Sequence, residues 1–139
     1  MKGTTLLKIY FDGGCRPNPG TMETAVVTRG RLDHRTGLGP GTSEQAEWCA
    51  LLHALDVARQ LGARDVLLLG DAAGVVDQAT GKARCRSPGL RDHFEQAAQD
   101  FDRVRVRYVR RNQNLAGIAL GQARQRRRMS DPTVEEPLP

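Results

Sequence analysis

The apolar positions of this chain change period several times, and each change marks an element. Thr4 to Phe11 mixes β-branched and apolar residues and predicts a strand that ends at Asp12. Gly13, Gly14, Pro17, Pro19 and Gly20 then crowd into one short loop. Thr24 to Thr28 predicts a second strand, and Gly30 to His34 a tight connection toward a third. Gly37, Gly39, Pro40 and Gly41 close this opening unit, which reads as an antiparallel meander. Thr42 is a good helix N-cap, with Gln45 three residues on for a capping box. Ala46, Ala50, Ala54, Val57, Ala58 and Leu61 then form a helical apolar stripe, widened by Leu51, Leu52 and Leu55 and stopped by Gly62.

Val66 to Leu69 is short and wholly apolar, as a strand buried on both faces should be, and it ends at Gly70–Asp71. A short helix over Ala72 to Thr80 follows, and Pro88 starts another that runs to about Phe101. Arg103 to Val109 alternates strictly, with Val104, Val106 and Tyr108 on one face and Arg103, Arg105 and Arg107 on the other. That pattern predicts a half-buried strand. Leu115 to Arg127 predicts a last helix. The order is β-β-β-α-β-α-α-β-α. Strands separated by helices imply right-handed parallel crossovers. The expected fold is therefore α/β: a five-stranded mixed sheet, three strands antiparallel and then two parallel, with helices on both faces. One domain is expected over residues 1–128. Residues 129–139, with three prolines after Ser130, read as a disordered tail.

Charge adds a partner class to this picture. The chain carries a net +5, much of it from arginines in the C-terminal third, which suits a polyanion. Only 4% of residues are aromatic, so the broad stacking platforms of OB-fold and RRM readers are excluded. Cys15, Cys49 and Cys85 are isolated and form no CxxC pair, which argues against a zinc knuckle or a disulfide framework. A reducing cytoplasm is the expected location. No apolar run has signal-peptide or membrane-spanning length, and no membrane association is expected.

Three acids carry the chemistry. Asp12 and Asp71 each follow an apolar strand. If those strands are parallel neighbours, both side chains lie outside the same sheet edge, where open α/β sheets bind ligands. Glu47 lies in the first turn or two of the helix after the meander and can reach the same point. Taken singly, each residue has a plain structural explanation, as a turn cap or as a favourable charge at a helix start. Three carboxylates in one place repel one another unless a cation neutralises them. An all-oxygen donor set selects a hard ion, Mg²⁺ with Mn²⁺ as substitute, and two such ions support phosphodiester cleavage.

The segments IYFDGGCRPNPG, TSEQAEWCALLHAL, LLLGDAAGVVDQATG and YVRRNQNLAGIALGQAR follow in order the pattern of the type 1 ribonuclease H family. The resemblance covers about Ile9 to Ala123 and is strongest with the compact bacterial and archaeal branch that lacks a basic handle. GKARCRSPGLRDHF runs straight from one helix into the next. It implies hydrolysis of the RNA strand of RNA·DNA hybrids, with Asp12, Glu47 and Asp71 as catalytic metal ligands; a monomer is expected. It also implies nucleic-acid contacts around Gly13, Gly14, Cys15 and Asn18, at Thr42 and Ser43, and at Asn114. The last helix departs from the family motif R-x-x-N-x-x-A-D-x-L-A. Matching Arg111 and Asn114 puts Ile118 at the aspartate, and matching Leu115–Ala116 puts Gly117 there, so the fourth carboxylate is missing either way. Weakened catalysis, or a non-catalytic nucleic-acid-binding domain on the same fold, is the alternative expectation. A nuclease for other nucleic acids is a third.

Overall fold

The structure is a computed structural model that describes residues 5–130. Its central strand, β1 (Leu6–Cys15), pairs antiparallel with β2 (Gly20–Thr28), which pairs antiparallel with β3 (Arg31–Arg35). On the other side of β1, β5 (Asp65–Gly70) and β6 (Arg103–Tyr108) add in parallel, giving the order β3-β2-β1-β5-β6. A two-residue strand, β4 (Pro40–Gly41), pairs with the start of β2 off this path. The helices are α1 (Ser43–Gln60), α2 (Ala73–Ala79), α3 (Pro88–Ala98) and α4 (Leu115–Ser130). The mixed sheet and its helix order are as the sequence predicts, with the extra β4 bridge.

Two strand boundaries differ from expectation, and both matter for the site. β1 does not end at Asp12. Gly13, Gly14 and Cys15 stay paired with Thr24, Glu23 and Met22, so Asp12 lies within the strand. The parallel ladder with β5 stops earlier, at Tyr10↔Leu69. Asp12 therefore stands just beyond the point where its neighbour ends, as a residue outside a sheet edge would. Correspondingly, β2 begins at Gly20 rather than Thr24. Glycines usually weaken a strand interior. Here they are kept because other groups approach closely. A Cβ at Gly13 would collide with the Ala46 carbonyl of α1, and one at Gly14 with the Arg124 guanidinium of α4.

The pleat sorts β1 onto two faces. Leu7, Ile9 and Phe11 pack toward α1 and α3 in the larger core, with Leu51, Leu55 and Leu68. Trp48 is fully buried there and meets Phe94 edge-on, with ring centroids 6.1 Å apart. Tyr10 turns to the opposite face, where α4 contributes Ala116 and Leu120 against Ala25 and Val27. Asp12, two residues on, shares that face with α4.

Helix α1 starts at the expected place. Gln45 N donates to Thr42 Oγ1 at 3.1 Å, and Thr42 N donates to Gln45 Oε1 at 2.9 Å, completing the capping box. Buried His53 links the meander to α1, with Nδ1 2.7 Å from Thr24 Oγ1 and Nε2 2.7 Å from Asp33 Oδ1. On β6, Arg103 and Arg107 are exposed while Arg105 reaches Asp65 at 3.4 Å, so this outer strand is blunted by charge. Tyr108 departs from the predicted alternation and is exposed, because it pairs with the last residue of β5 at the open end of the sheet. Helix α4 continues past Arg127 to Ser130, so Met129 and Ser130 of the expected tail are helical, and the rest of that tail lies outside the described residues. No described helix is long and apolar enough to cross a membrane.

Candidate active site

Three elements bring the acids together. Asp12 comes from β1, Asp71 directly follows β5, and Glu47 lies in the second turn of α1. One carboxylate oxygen from each lies within 4.8 Å of the others. Glu47 is the most buried of the three. Its Oε1 accepts from the backbone N–H of Gly13, which lets the long β1 strand hold the helix side chain in place. Its Oε2 is buried with no hydrogen-bond partner.

Asn114 completes the frame from below. Its Nδ2 donates to Phe11 O at 3.0 Å and to Asp71 Oδ2 at 3.1 Å, and its Oδ1 accepts from Ala116 N at 3.1 Å. It is fully buried. Its amide is turned inward and braces Asp71 against β1, a positioning role beside the nucleic-acid contact expected there.

The electrostatics of the cluster are those of unneutralised acids. Burial pushes the Asp12 carboxyl up to about 6; a hydrogen bond with Glu47 opposes this, the charge of Asp71 adds to it, and Arg124 and Arg111 draw it down. Burial, followed by the charge of Asp12, raises Glu47 well above the ordinary carboxylate range. A carboxyl whose folded value is raised stabilises the fold below its unfolded value, and that contribution is lost as pH rises through the folded value. Stability in chelator is therefore expected to fall between pH 5 and pH 7.5, by on the order of 2 kcal/mol. A divalent ion should restore it at pH 7.5. Urea unfolding at the two pH values, with and without the ion, measures this, and a flat profile in chelator contradicts it.

The donor set passes the test for a hard cation. It is all oxygen, it is mutually repulsive without a counter-charge, and it includes a buried oxygen that lacks a partner. Asp12, Glu47 and Asp71 are the residues that would hold such an ion.

The last helix settles which of two positions faces the acids. A Cβ at Gly117 would stand 3.3 Å from Asp71 Oδ2 and 3.5 Å from Asp12 Oδ2. Ile118 is exposed, on another side of α4. Gly117 is therefore the position open toward the cluster.

The acids form the floor of a cleft of about 530 Å³, walled by Gly13, Gly14, Cys15 and Ser43 on one side and by Gly117 and Gly121 on the other. Asn18 sits on the rim and is exposed; its Oδ1 accepts from Ser43 N at 3.0 Å, tying the β1–β2 loop to the start of α1. Thr42 is likewise exposed, with its hydroxyl engaged by the helix cap. Cys15 is buried, its Sγ 3.4 Å from Gly41 O. Arg111 and Arg124 also line the cleft, and sequence reasoning did not single them out as site residues. Arg124 lies seven residues after Gly117, two helical turns along one face, which is the signal that would have found it.

Comparison with known proteins agrees with this geometry. A family model described as Reverse transcriptase-like matches residues 10–123. A ribonuclease HI of Halobacterium salinarum is 34% identical over 119 residues, covering 80% of this chain and 60% of that protein. The bifunctional protein Rv2228c of Mycobacterium tuberculosis is 34% identical over 116 residues, 76% of this chain. The chain spans only 32% of that mycobacterial protein's length. Among solved structures, RNase H1 of Halobacterium salinarum superposes with a TM-score of 0.78 at 30% identity, covering 88% of this chain and 99% of that one. The N-terminal RNase H domain of the mycobacterial protein gives 0.71 at 29% identity, covering 89% and 99%. The sheet order, the acids gathered beyond β5 and these matches agree, and the chain belongs to the type 1 ribonuclease H branch of the Reverse transcriptase-like family.

Proposed function

We propose that this chain is a divalent-metal-dependent endonuclease that hydrolyses the RNA strand of RNA·DNA hybrids, with Asp12, Glu47 and Asp71 as its metal ligands. The observation that carries this reading is the meeting of three carboxylates from separate elements around one point. The name of the Halobacterium relative, ribonuclease HI, supports the reaction class. Mg²⁺ is the proposed ion, with Mn²⁺ able to substitute. When bound, such an ion supplies a Lewis acid at the phosphate and a more acidic water.

The chain's own residues do the rest. The Gly13 N–H holds Glu47, and Asn114 holds Asp71, so two of the three acids are oriented before any ligand arrives. Arg111 and Arg124 bring positive charge to a cleft that must accept a polyanion. Gly13, Gly14, Cys15 and Ser43 form the wall along which a nucleic-acid backbone would lie, with exposed Asn18 and Thr42 bonded to or next to Ser43. Recognition of ribose 2′-hydroxyls there would select hybrids by shape with little sequence preference.

Gly117 bears on the rate. The family motif has an aspartate on this helix, and the open position beside Asp12 and Asp71 removes one negative donor. Weaker ion binding is expected, with a high Mg²⁺ requirement that Mn²⁺ partly relieves. Gly117→Asp, whose side chain would start 3.3 Å from Asp71 Oδ2, is expected to lower the Mg²⁺ concentration for half-maximal cleavage several-fold. A metal titration measures this, and saturation of the parent chain at ordinary Mg²⁺ levels contradicts it.

The same open position favours the second reading, a domain that binds nucleic acid with little or no catalysis. Labelled RNA·DNA hybrid, duplex RNA, duplex DNA and single-stranded RNA, each incubated with Mg²⁺ or Mn²⁺ and with Asp71→Asn as control, separate the readings. RNA-strand cleavage confined to the hybrid and lost in the control supports the proposal. Hybrid binding with no cleavage under either ion supports the second reading and overturns the first.

A further inference from the structure

Arg124 is built into the molecule in a way that its surroundings do not explain. It lies on α4 two turns beyond Gly117, and its guanidinium is laid across Gly14 of β1, in the space a Cβ would take. Gly14 and Asp12 are two residues apart and share one face of β1. The guanidinium therefore stands beside the acid cluster, and it lines the same cleft. Its Nε and Nη2 are both buried without a hydrogen-bond partner. The nearest acid, Glu23, lies opposite Gly14 in the β1–β2 register, yet its Oε2 is 3.6 Å from Arg124 Nε. Glu23 is already engaged by Arg127 at 2.8 Å and by His34 at 3.0 Å. The Arg124 side chain is only 20% exposed, and buried guanidinium donors left unfilled are costly unless an anion completes them.

We infer that Arg124 is a phosphate-binding residue, holding a backbone phosphate of the bound nucleic acid next to the acid cluster. This inference rests on the nuclease reading above, since it places the substrate of that same cleft. The chemistry suits the role. A guanidinium offers a planar fork of donors that matches phosphate oxygens two at a time. Gly117 and Gly121 carry no side chains to block the path along α4 between Arg124 and the acids, and both line the cleft. Glu23 Oε2, 3.6 Å from Nε, steadies the guanidinium by charge but is too far to fill its donors. Positive charge beside three carboxylates also gives the approaching strand a register: one phosphate on Arg124, its neighbour over Asp12 and Asp71.

The test uses fluorescence-anisotropy binding of a labelled RNA·DNA hybrid, with Ca²⁺ in place of Mg²⁺, as a function of salt. Arg124→Gln is expected to weaken binding about tenfold at low salt and to make the slope of log affinity against log salt shallower by about one. Arg124→Lys keeps the charge and should keep the slope while losing part of the affinity. Arg91→Gln, a half-buried position paired with Glu95 on α3, removes one positive charge elsewhere and should change neither. Steady-state cleavage should show the Arg124→Gln loss mainly in KM. Wild-type slope and affinity in Arg124→Gln overturn the inference, as does an equal change in Arg91→Gln. Failure of the parent chain to bind hybrid at all overturns instead the reading on which the inference rests.

Discussion

Glu47→Gln is expected to abolish hybrid cleavage, by on the order of a thousandfold or more, while leaving the metal-free fold as stable as the parent or more so. The loss follows from the donor set. Glutamine keeps the shape and can still accept the Gly13 N–H, but it removes one of three negative charges from the ion site. Removing a single group aimed at developing charge costs about this much at other active sites. The stability result follows from the raised pKa of Glu47. Its burial, followed by the charge of Asp12, raises the carboxyl well above the ordinary range, so a neutral amide at this position removes an unfavourable buried charge when no ion is bound. Hybrid cleavage under single-turnover conditions and urea unfolding in chelator, run side by side, check both halves. The protection that a divalent ion gives the parent against unfolding should also vanish in the variant. Cleavage retained within tenfold would mean that Glu47 is not a ligand.

Gly13→Ala is expected to cost about 3 kcal/mol of stability and to remove most of the activity with it. Its added methyl would overlap the Ala46 carbonyl and stand 2.9 Å from Glu47 N. Both contacts are backbone, so no side chain can swing aside, and the first turns of α1 must shift. That shift would move Glu47 away from Asp12 and Asp71. A useful contrast is Gly89→Ala in α3, where a Cβ meets nothing within 4 Å. There the same change should stabilise by a few tenths of a kcal/mol. Thermal or urea unfolding of the two variants distinguishes a steric cause from a general effect of replacing glycine. Equal stabilities would remove the argument that Gly13 exists to let α1 dock.

Much of this arrangement is legible in the chain. Local chemistry marks the capping box at Thr42 and Gln45, the apolar run Val66 to Leu69, and the alternation after Arg103, because each depends on neighbours a few residues away. The acids are legible as candidates for the same reason: Asp71 directly follows its strand, and Glu47 lies in the second turn of its helix. Asp12 is legible too, but not as the end of its strand. Two glycines after it look like the end of a strand, yet β2 keeps pairing with them, since their lack of a side chain is what admits α1 and Arg124. The bracing role of Asn114 is not legible in the chain because its partners, Phe11 and Asp71, are distant in sequence. Tyr108 was assigned to the buried face because alternation says nothing of where the covering helices stop.

By itself, then, the sequence determined the elements, their order, the mixed sheet and the three acids, through short-range propensity and the spacing of apolar residues. Only the tertiary structure decided that Gly117 rather than Ile118 faces those acids, that Asn114 braces Asp71 from within, and that Arg124 lies unsatisfied beside them. The physical reason is rotational. A helix turns about 100° per residue, so the face that α4 presents depends on how Ala116, Leu120 and Ala123 seat against the sheet, and that is set by packing between residues far apart along the chain.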